Sequence, residues 1–167
     1  RMYEKRACKY FDKVISNSEY LKELIHIFYK VPKQKLALLY KSVNSEFSVA
    51  TPKFRNINKH EPIKILFVKT DIICGGLIYL IIALGKLNYR FILKIIGASQ
   101  EVLDHFLSTL NIVQNIKIVA LGAQPQDKVF EEMKICDIFC TPSIFEALGV
   151  ANMEALLHGI PVVYTKT

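Results

Sequence analysis

The second part of the chain alternates short apolar runs with segments of helical periodicity, and this alternation restricts the fold. The runs are rich in β-branched residues and contain few polar positions, which is typical of strands buried on both faces of a sheet. They lie at 63–68 (IKILFV), 91–96 (FILKII), 116–121 (IKIVAL), 137–141 (DIFCT) and 161–165 (PVVYT). Helices are predicted to begin near Gly76, Gln100, Asp127 and Val150. The pattern predicts an α/β fold, a doubly wound parallel sheet with helices on both faces.

The segment before Pro62 has a different organisation. Residues 11–43 predict a strand, a helix and a second strand, and residues 44–62 form a linker rich in Asn, Lys, Thr and Pro. We therefore expect two domains. Residues 1–60 would contain the end of the first domain and the connection, and residues 61–167 would form the second.

Positive charge is concentrated in the first part of the chain. Residues 1–60 contain 13 Lys and Arg against 5 Asp and Glu, whereas residues 61–167 contain 9 against 10. The simplest interpretation is a set of solvated lysines on helix faces. A peripheral contact with an anionic membrane surface is the alternative, and no nucleic-acid partner is expected.

The cysteines and one long apolar run bear on the environment of the chain. Only Cys136 and Cys140 are close in sequence, and no nearby Cys or His pair completes a zinc pattern, so no metal site is predicted. Reduced thiols are expected, in a cytoplasmic protein that is either free or at the cytoplasmic face of a membrane. The uncharged run 72–85 is shorter than the roughly 20 residues that cross a bilayer. It is predicted to be a core helix, buried nearly all round.

Two glutamates, Glu146 and Glu154, lie eight positions apart within the stretch 136–163. The first falls in the loop after the predicted strand 137–141, and the second falls in the first turns of the next helix. In a doubly wound sheet such loops converge on a ligand at the carboxyl ends of the strands. Carboxylates accept hydrogen bonds from sugar hydroxyls, and amides at a helix N-terminus bind phosphates. Together these features favour a nucleotide sugar as the ligand.

The segment PSIFEALGVANMEALLHGIPVV (142–163) resembles the E-x7-E signature of retaining glycosyltransferases with GT-B architecture, the glycosyl transferases group 1 family. Segments 14–25, 33–47 and 63–76 also resemble that family, so the resemblance spans residues 13–165. It implies a Rossmann-like fold for residues 61–167, as the C-terminal, donor-binding domain of such an enzyme. The matched signature positions are Pro142, Ser143, Glu146, Gly149, Glu154, Ala155, Gly159, Pro161, Val162 and Val163.

The resemblance also implies roles for individual residues. Glu146 would be the catalytic residue that lies beside the donor sugar and binds its hydroxyls, and Glu154 would bind the ribose hydroxyls. Backbone amides near Leu148, Gly149 and Val150 would contact the diphosphate, and Gly149 would permit close approach.

The first phosphate loop departs from the family pattern. That loop usually has an Arg after a Gly and, a few residues later, a Lys before a Gly. This chain has Lys69 and Thr70 for the first pair and Gly75 and Gly76 for the second. Two lost charge-assisted contacts correspond to about 3 to 6 kcal/mol, and Lys69 would recover part of this if its side chain turned inward. Gly122, after the third strand, is placed near the base-binding loop.

The implied reaction transfers a sugar from a nucleotide-diphosphate sugar, UDP- or GDP-linked, to a hydroxyl of a glycan or lipid acceptor with retention of configuration. No cofactor or metal is required if cationic side chains and helix amides bind the phosphates. The family continues beyond the final residues PVVYTKT, and most of its acceptor domain precedes this sequence. We therefore expect the 167 residues to bind a donor without catalysing transfer.

Other interpretations of these residues remain. A catalytically degenerate lobe that serves as a binding or scaffolding module is the main alternative, and the missing loop cations favour it. A dinucleotide-dependent oxidoreductase is disfavoured, because no G-x-G-x-x-G follows a strand and IIGASQ offers only Gly97. His158, before Gly159, is predicted to be a residue at the end of a helix rather than a catalytic base.

Overall fold

The structure is a computed structural model that describes residues 2–43, 60–110 and 114–166. The strands are β1 (Val14–Ser16), β2 (Leu36–Leu38), β3 (Ile63–Val68), β4 (Phe91–Ile96), β5 (Ile116–Gly122), β6 (Ile138–Thr141) and β7 (Val162–Tyr164). The helices are α1 (Met2–Tyr10), α2 (Glu19–Tyr29), α3 (Leu77–Gly85), α4 (Gln100–Ser108), α5 (Gln126–Ile135) and α6 (Val150–Leu157). The contacts divide the described residues into two compact units. The smaller contains residues 2–43 and 146–150, and the larger contains the rest.

The larger unit is built on a parallel sheet of five strands in the order β5-β4-β3-β6-β7. The predicted α/β fold with a doubly wound parallel sheet is therefore confirmed. Strands β3 and β4 have the predicted bounds, whereas β6 begins one residue later than predicted. Asp137 explains the late start. Its carboxylate accepts a hydrogen bond from the Lys64 backbone N–H, and its own backbone N–H donates to the Lys64 carbonyl just before β6.

Each face of the sheet carries its own apolar core. Helices α3 and α4 cover one face, where Phe67 and Leu93 are fully buried. Helices α5 and α6 cover the other face, where Leu66 and Phe139 are fully buried. Because neighbouring residues of a strand point to opposite faces, these uninterrupted apolar strands can support both cores.

The run 72–85 is a turn followed by α3, and it is not buried nearly all round. Leu77, Leu80, Ile81 and Leu84 are buried, whereas Tyr79 and Ile82 are about half exposed, at 58% and 48%. The helix covers only one side of the sheet, so its far side faces solvent and the prediction for this run is wrong in that respect. Within the described ranges, no helix is both long enough and apolar enough to span a membrane.

The smaller unit contains the strand, helix and strand predicted from residues 11–43. Strands β1 and β2 pair in parallel, and α2 connects them. The Ser18 hydroxyl accepts a hydrogen bond from the Leu21 N–H at 3.1 Å, which caps the N-terminus of α2. Most of the predicted linker lies outside the described residues, so the predicted domain boundary stays a prediction.

Candidate functional site

The strand order places a topological switch point between β3 and β6. From β3 the chain builds the sheet outward through β4 and β5, and then it crosses back to form β6 on the other side of β3. Ligands of open α/β sheets bind in the crevice at the carboxyl ends of the strands at such a point. The loops that follow β3 and β6 therefore define the candidate site, and most of the predicted site residues lie in or directly after them.

The turn after β3 is organised by Asp71. Its Oδ1 atom accepts hydrogen bonds from the backbone N–H groups of Ile73 at 3.1 Å and Cys74 at 2.9 Å. The Cys74 N–H is the largest of the contacts that lower the pKa of Asp71 below its ordinary value, and the positive charge of Lys69 adds to them. This exposed turn consequently carries a carboxylate where the family resemblance predicts a phosphate loop.

Lys69 and Thr70 lie at the start of this turn. Thr70 is exposed, whereas Lys69 is half-buried and donates its backbone N–H to the Ile96 carbonyl at 2.9 Å. The positive charge of Lys69 is the smallest of the effects that lower the pKa of the Asp71 carboxylate. Whether Lys69 contacts a phosphate stays a prediction.

Gly75 and Gly76 form the tight end of the turn. Gly76 has a φ of +75°, and a Cβ atom there would lie 2.0 Å from the Pro142 carbonyl oxygen. A Cβ atom at Gly75 would lie 2.7 Å from the Phe67 ring. The Ile144 N–H also donates to the Cys74 carbonyl at 2.8 Å, so the loops after β3 and β6 are in direct contact. Both glycines are thus required by packing, and neither position accepts a larger side chain without a shift of its neighbours.

Two further glycines continue this edge of the sheet. Gly97, with a φ of +111°, lies against the Lys69 carbonyl and donates its N–H to the Gly122 carbonyl at 2.8 Å. Gly122, predicted to lie near the base-binding loop, has a φ of +67°. Apart from the adjoining residues, no described atom would lie within 4 Å of a Cβ atom added there.

Glu154 lies in the second turn of α6 and is half-buried. Its Oε1 atom accepts a hydrogen bond from Gln126 Nε2 at 2.8 Å. Gln126 is the first residue of α5, the helix that follows β5, and the sequence analysis missed it. The carboxylate is thus held from a neighbouring helix.

His158 anchors the backbone of the same helix. Its Nδ1 atom lies 2.8 Å from the Glu154 carbonyl oxygen, and since that oxygen can only accept, Nδ1 carries the hydrogen. The ring is 1% exposed and packs on Phe130 at a centroid distance of 5.0 Å. It therefore lies in the core just after α6, which agrees with the helix-end role predicted for His158.

The end of β6 carries buried hydroxyl groups. Thr141 donates its hydroxyl to Asn152 Oδ1 on α6 at 2.6 Å. Ser143, one of the matched signature positions, is 2% exposed, and its hydroxyl has no hydrogen-bond partner among the described residues. Two hydroxyl groups are thus buried at the end of β6, one of them bonded to α6.

Residues 146–150, which include Glu146, belong to the smaller unit. Glu146 and Leu148 are half-buried, Gly149 is buried with a φ of +66°, and Val150 is the first residue of α6. The positive φ explains why a glycine is needed at 149. The predicted meeting of Glu146 and Glu154 at one ligand stays a prediction.

All four cysteines are free thiols. Cys140 is buried in the core, and burial raises the pKa of its thiol to about 11. Cys74 is exposed, and its hydrogen bond to Asp71 raises the pKa of that thiol. In the part of the chain that the structure describes, no group of three or more His, Cys, Asp or Glu side chains is arranged to hold a metal ion.

Similarity to known proteins covers nearly the whole chain. The model of the protein family described as Glycosyl transferases group 1 matches residues 50–167. An uncharacterized glycosyltransferase of Methanocaldococcus jannaschii is 29% identical in a 160-residue alignment, and this alignment covers 90% of this chain and 41% of that relative.

Two solved structures share the fold. The lipopolysaccharide outer core galactosyltransferase WaaB, in its apo form, superposes with a TM-score of 0.66 at 23% identity, over 93% of this chain and 43% of its own. The Anabaena protein Alr3699/HepE, in complex with UDP-glucose, superposes with a TM-score of 0.72 at 16% identity, over 95% of this chain and 46% of its own. The 167 residues thus span less than half the length of each of these three proteins.

Proposed function

The chain belongs to the glycosyl transferases group 1 family, and we propose that it forms the donor-binding part of a retaining glycosyltransferase. The membership and the GT-B fold agree with the resemblance found in residues 142–163. In the proposed reaction a sugar passes from a nucleotide-diphosphate sugar to an acceptor hydroxyl. The whole protein would need an acceptor domain in addition to these residues.

The observation that carries the proposal is the carboxylate of Glu154. It is half-buried on α6, a helix that follows the switch-point strand β6, and Gln126 holds it at 2.8 Å. A fixed carboxylate accepts two hydrogen bonds from vicinal hydroxyls such as those of a ribose. The attached base is proposed to lie near Gly122 at the end of β5.

The remaining site residues have proposed roles in stabilising the transition state. A departing diphosphate needs compensation of its negative charge, and backbone amides of Leu148, Gly149 and Val150 at the start of α6 would supply it. Glu146 would bind hydroxyls of the donor sugar, whose ring develops oxocarbenium character as the diphosphate leaves. Lys69, in the turn after β3, would contribute a side-chain cation to diphosphate binding.

The donor and acceptor classes follow from the family and are part of the proposal. A UDP- or GDP-linked sugar is the expected donor, and a relative of the same fold has been solved with UDP-glucose. A glycan or lipid would be the acceptor. We also propose that the protein acts in the cytoplasm or at the cytoplasmic face of a membrane, an environment in which its four cysteines would stay reduced.

One observation favours a second function, a binding or scaffolding module without efficient catalysis. Lys69 and Asp71 are the only charged residues in the turn 69–76, so this turn has no net charge. Packing at Gly75 and Gly76 also prevents a cationic side chain from taking the second expected place. A diphosphate would then be held by amides with little help from side chains.

Calorimetric titration of the 167-residue chain with UDP, GDP and ADP tests the proposal. We expect one nucleotide to bind and Glu154→Ala to weaken it about 10- to 100-fold, because each charge-assisted hydrogen bond is worth about 1.5 to 3 kcal/mol. The matched control is Glu101→Ala, which removes an exposed helix glutamate from α4 and should leave binding unchanged. If a folded sample binds no nucleotide, or binds equally well without Glu154, the proposal is wrong.

A further inference from the structure

We infer that Gln126 is a positioning residue, which sets the Glu154 carboxylate for recognition of the ribose hydroxyls. The inference rests on the proposed function. It adds a second residue, on a different helix, to a contact for which the signature supplies only the glutamate. Gln126 itself would not touch the ribose.

The geometry of the pair supports this role. Gln126 Nε2 donates to Glu154 Oε1 at 2.8 Å, a distance of full hydrogen-bond strength. An ionised carboxylate has about four acceptor positions on its two oxygens. One donor therefore occupies one position and restricts the orientation of the group, and both oxygens keep lone pairs for a pair of neighbouring hydroxyls.

The chemical type of the partner is also suited to this role. The amide of Gln126 is neutral, so it orients Glu154 without neutralising its charge. A lysine or arginine at this position would form an ion pair and compete with the hydroxyl donors for the same charge. A carboxylate that keeps its charge forms the stronger hydrogen bonds to a sugar.

Both residues of the pair lie on helices whose backbones have defined contacts next to the pair. Gln126 begins α5 directly after Pro125, whose φ of −66° fixes the entry to the helix. The Glu154 backbone accepts a hydrogen bond from the fully buried His158 ring. The side-chain hydrogen bond is exposed to solvent and joins the first turn of α5 to the second turn of α6. Gln126 would act on ribose recognition through this hydrogen bond to Glu154.

The discriminating experiment compares a nucleotide with its analogue that lacks the ribose hydroxyls. The 167-residue chain and its variants are titrated with UDP and GDP and with their 2′,3′-dideoxy analogues. The wild-type protein should prefer the ribonucleotide by about tenfold or more, as expected for two hydroxyl contacts. Gln126→Ala should reduce this preference about three- to tenfold while leaving the affinity for the dideoxy analogue unchanged.

Two further variants sharpen the test. Gln126→Glu keeps the size of the side chain but places a second carboxylate against Glu154, so it should reduce the preference at least as much as Gln126→Ala. Gln100→Ala is the matched control. Gln100 is likewise the exposed first residue of a helix, α4, and bonds to the Asp104 carboxylate at 2.7 Å, so its loss should not affect the preference.

The outcomes separate the inference from the proposed function. If the wild-type protein shows no ribose preference, the proposed role of Glu154 fails, and the role of Gln126 fails with it. If the wild-type protein shows the preference and Glu154→Ala abolishes it, but both Gln126 variants retain it, the inference alone is wrong. Equal weakening of the ribonucleotide and its dideoxy analogue in folded Gln126 variants would indicate a merely structural role and would also overturn it.

Discussion

At Gly76 the backbone turns with a φ of +75° against the Pro142 carbonyl oxygen, and the absence of a side chain allows the two loops to meet. Gly122 has nearly the same backbone conformation, with a φ of +67°, but faces open space. The two glycines therefore form a matched pair. At Gly76 a side chain would be disfavoured both by the positive φ and by close packing, whereas at Gly122 only the positive φ disfavours it.

This difference predicts unequal losses of stability on substitution by alanine. Gly122→Ala should lower the free energy of unfolding by about 1 to 2 kcal/mol, the cost of a side chain at positive φ. Gly76→Ala should lower the free energy of unfolding by about 1 to 3 kcal/mol more than Gly122→Ala does, because its Cβ atom would overlap the Pro142 carbonyl. Urea unfolding followed by circular dichroism measures both. Equal losses in the two variants would contradict the packing role of Gly76.

Single residues of the site were only partly predictable from the sequence. Glu154 is predicted as a site residue because it lies in a contiguous signature, whereas Gln126 lies 28 positions away and its partner depends on the packing of α5 against α6. The pair Gly75 and Gly76 was assigned to phosphate binding, and the structure adds a packing requirement for both. Close approach between distant loops leaves no local pattern in a sequence, so this requirement was not predictable.

At the scale of elements, the turn before α3 depends on a charged cap. The Asp71 carboxylate accepts the N–H groups of Ile73 and Cys74, and these bonds, the Cys74 bond first, lower its pKa below the ordinary value of 3.8. A carboxylate with a lowered pKa in the folded state stabilises the protein above its unfolded-state pKa. That stabilisation is lost as the pH falls through the folded-state pKa.

The expected consequence is a pH-dependent effect of Asp71→Asn. At pH 7 the variant should unfold at a temperature a few degrees below the wild-type protein, because the charge that favours the turn is absent. The difference should shrink as the pH falls below about 4 and Asp71 becomes protonated. Thermal melts between pH 7 and pH 2.5 measure this, with Asp104→Asn on the exposed face of α4 as control. A difference that stays constant with pH would argue against the charged cap.

The elements themselves were largely predictable. Uninterrupted apolar runs correctly marked β3 and β4, because strands buried on both faces need no polar alternation. The strand order was not predictable in the same way, since it depends on which faces the connecting helices cover. The exposure of Tyr79 and Ile82 was also missed, because an apolar run alone does not indicate how much of a helix is covered.

At the scale of the whole molecule, the charge lies mainly outside the segments that form the switch point. The chain has a net charge of +7, yet residues 61–167 contain 9 Lys and Arg against 10 Asp and Glu. Exposed charges act strongly over only about 10 Å at 0.1 M salt, so the charges within the turn itself matter more for a bound diphosphate than the net charge of the chain. Diphosphate binding in this protein should consequently be limited by the turn 69–76, where Lys69 and Asp71 balance each other.

Restoring a cation at the exposed position Thr70 should therefore strengthen nucleotide binding. Thr70 occupies the place where the family pattern has an arginine, and its exposed side chain leaves room for one. Thr70→Arg should tighten the binding of UDP or GDP about tenfold or more, the value of one charge-assisted hydrogen bond of about 1.5 kcal/mol. Thr70→Gln, which also lengthens the side chain but adds no charge, separates charge from contact area. If calorimetry finds the same affinity for both variants, the diphosphate does not approach this turn, and the amides of α6 would have to bind it without a cation from β3.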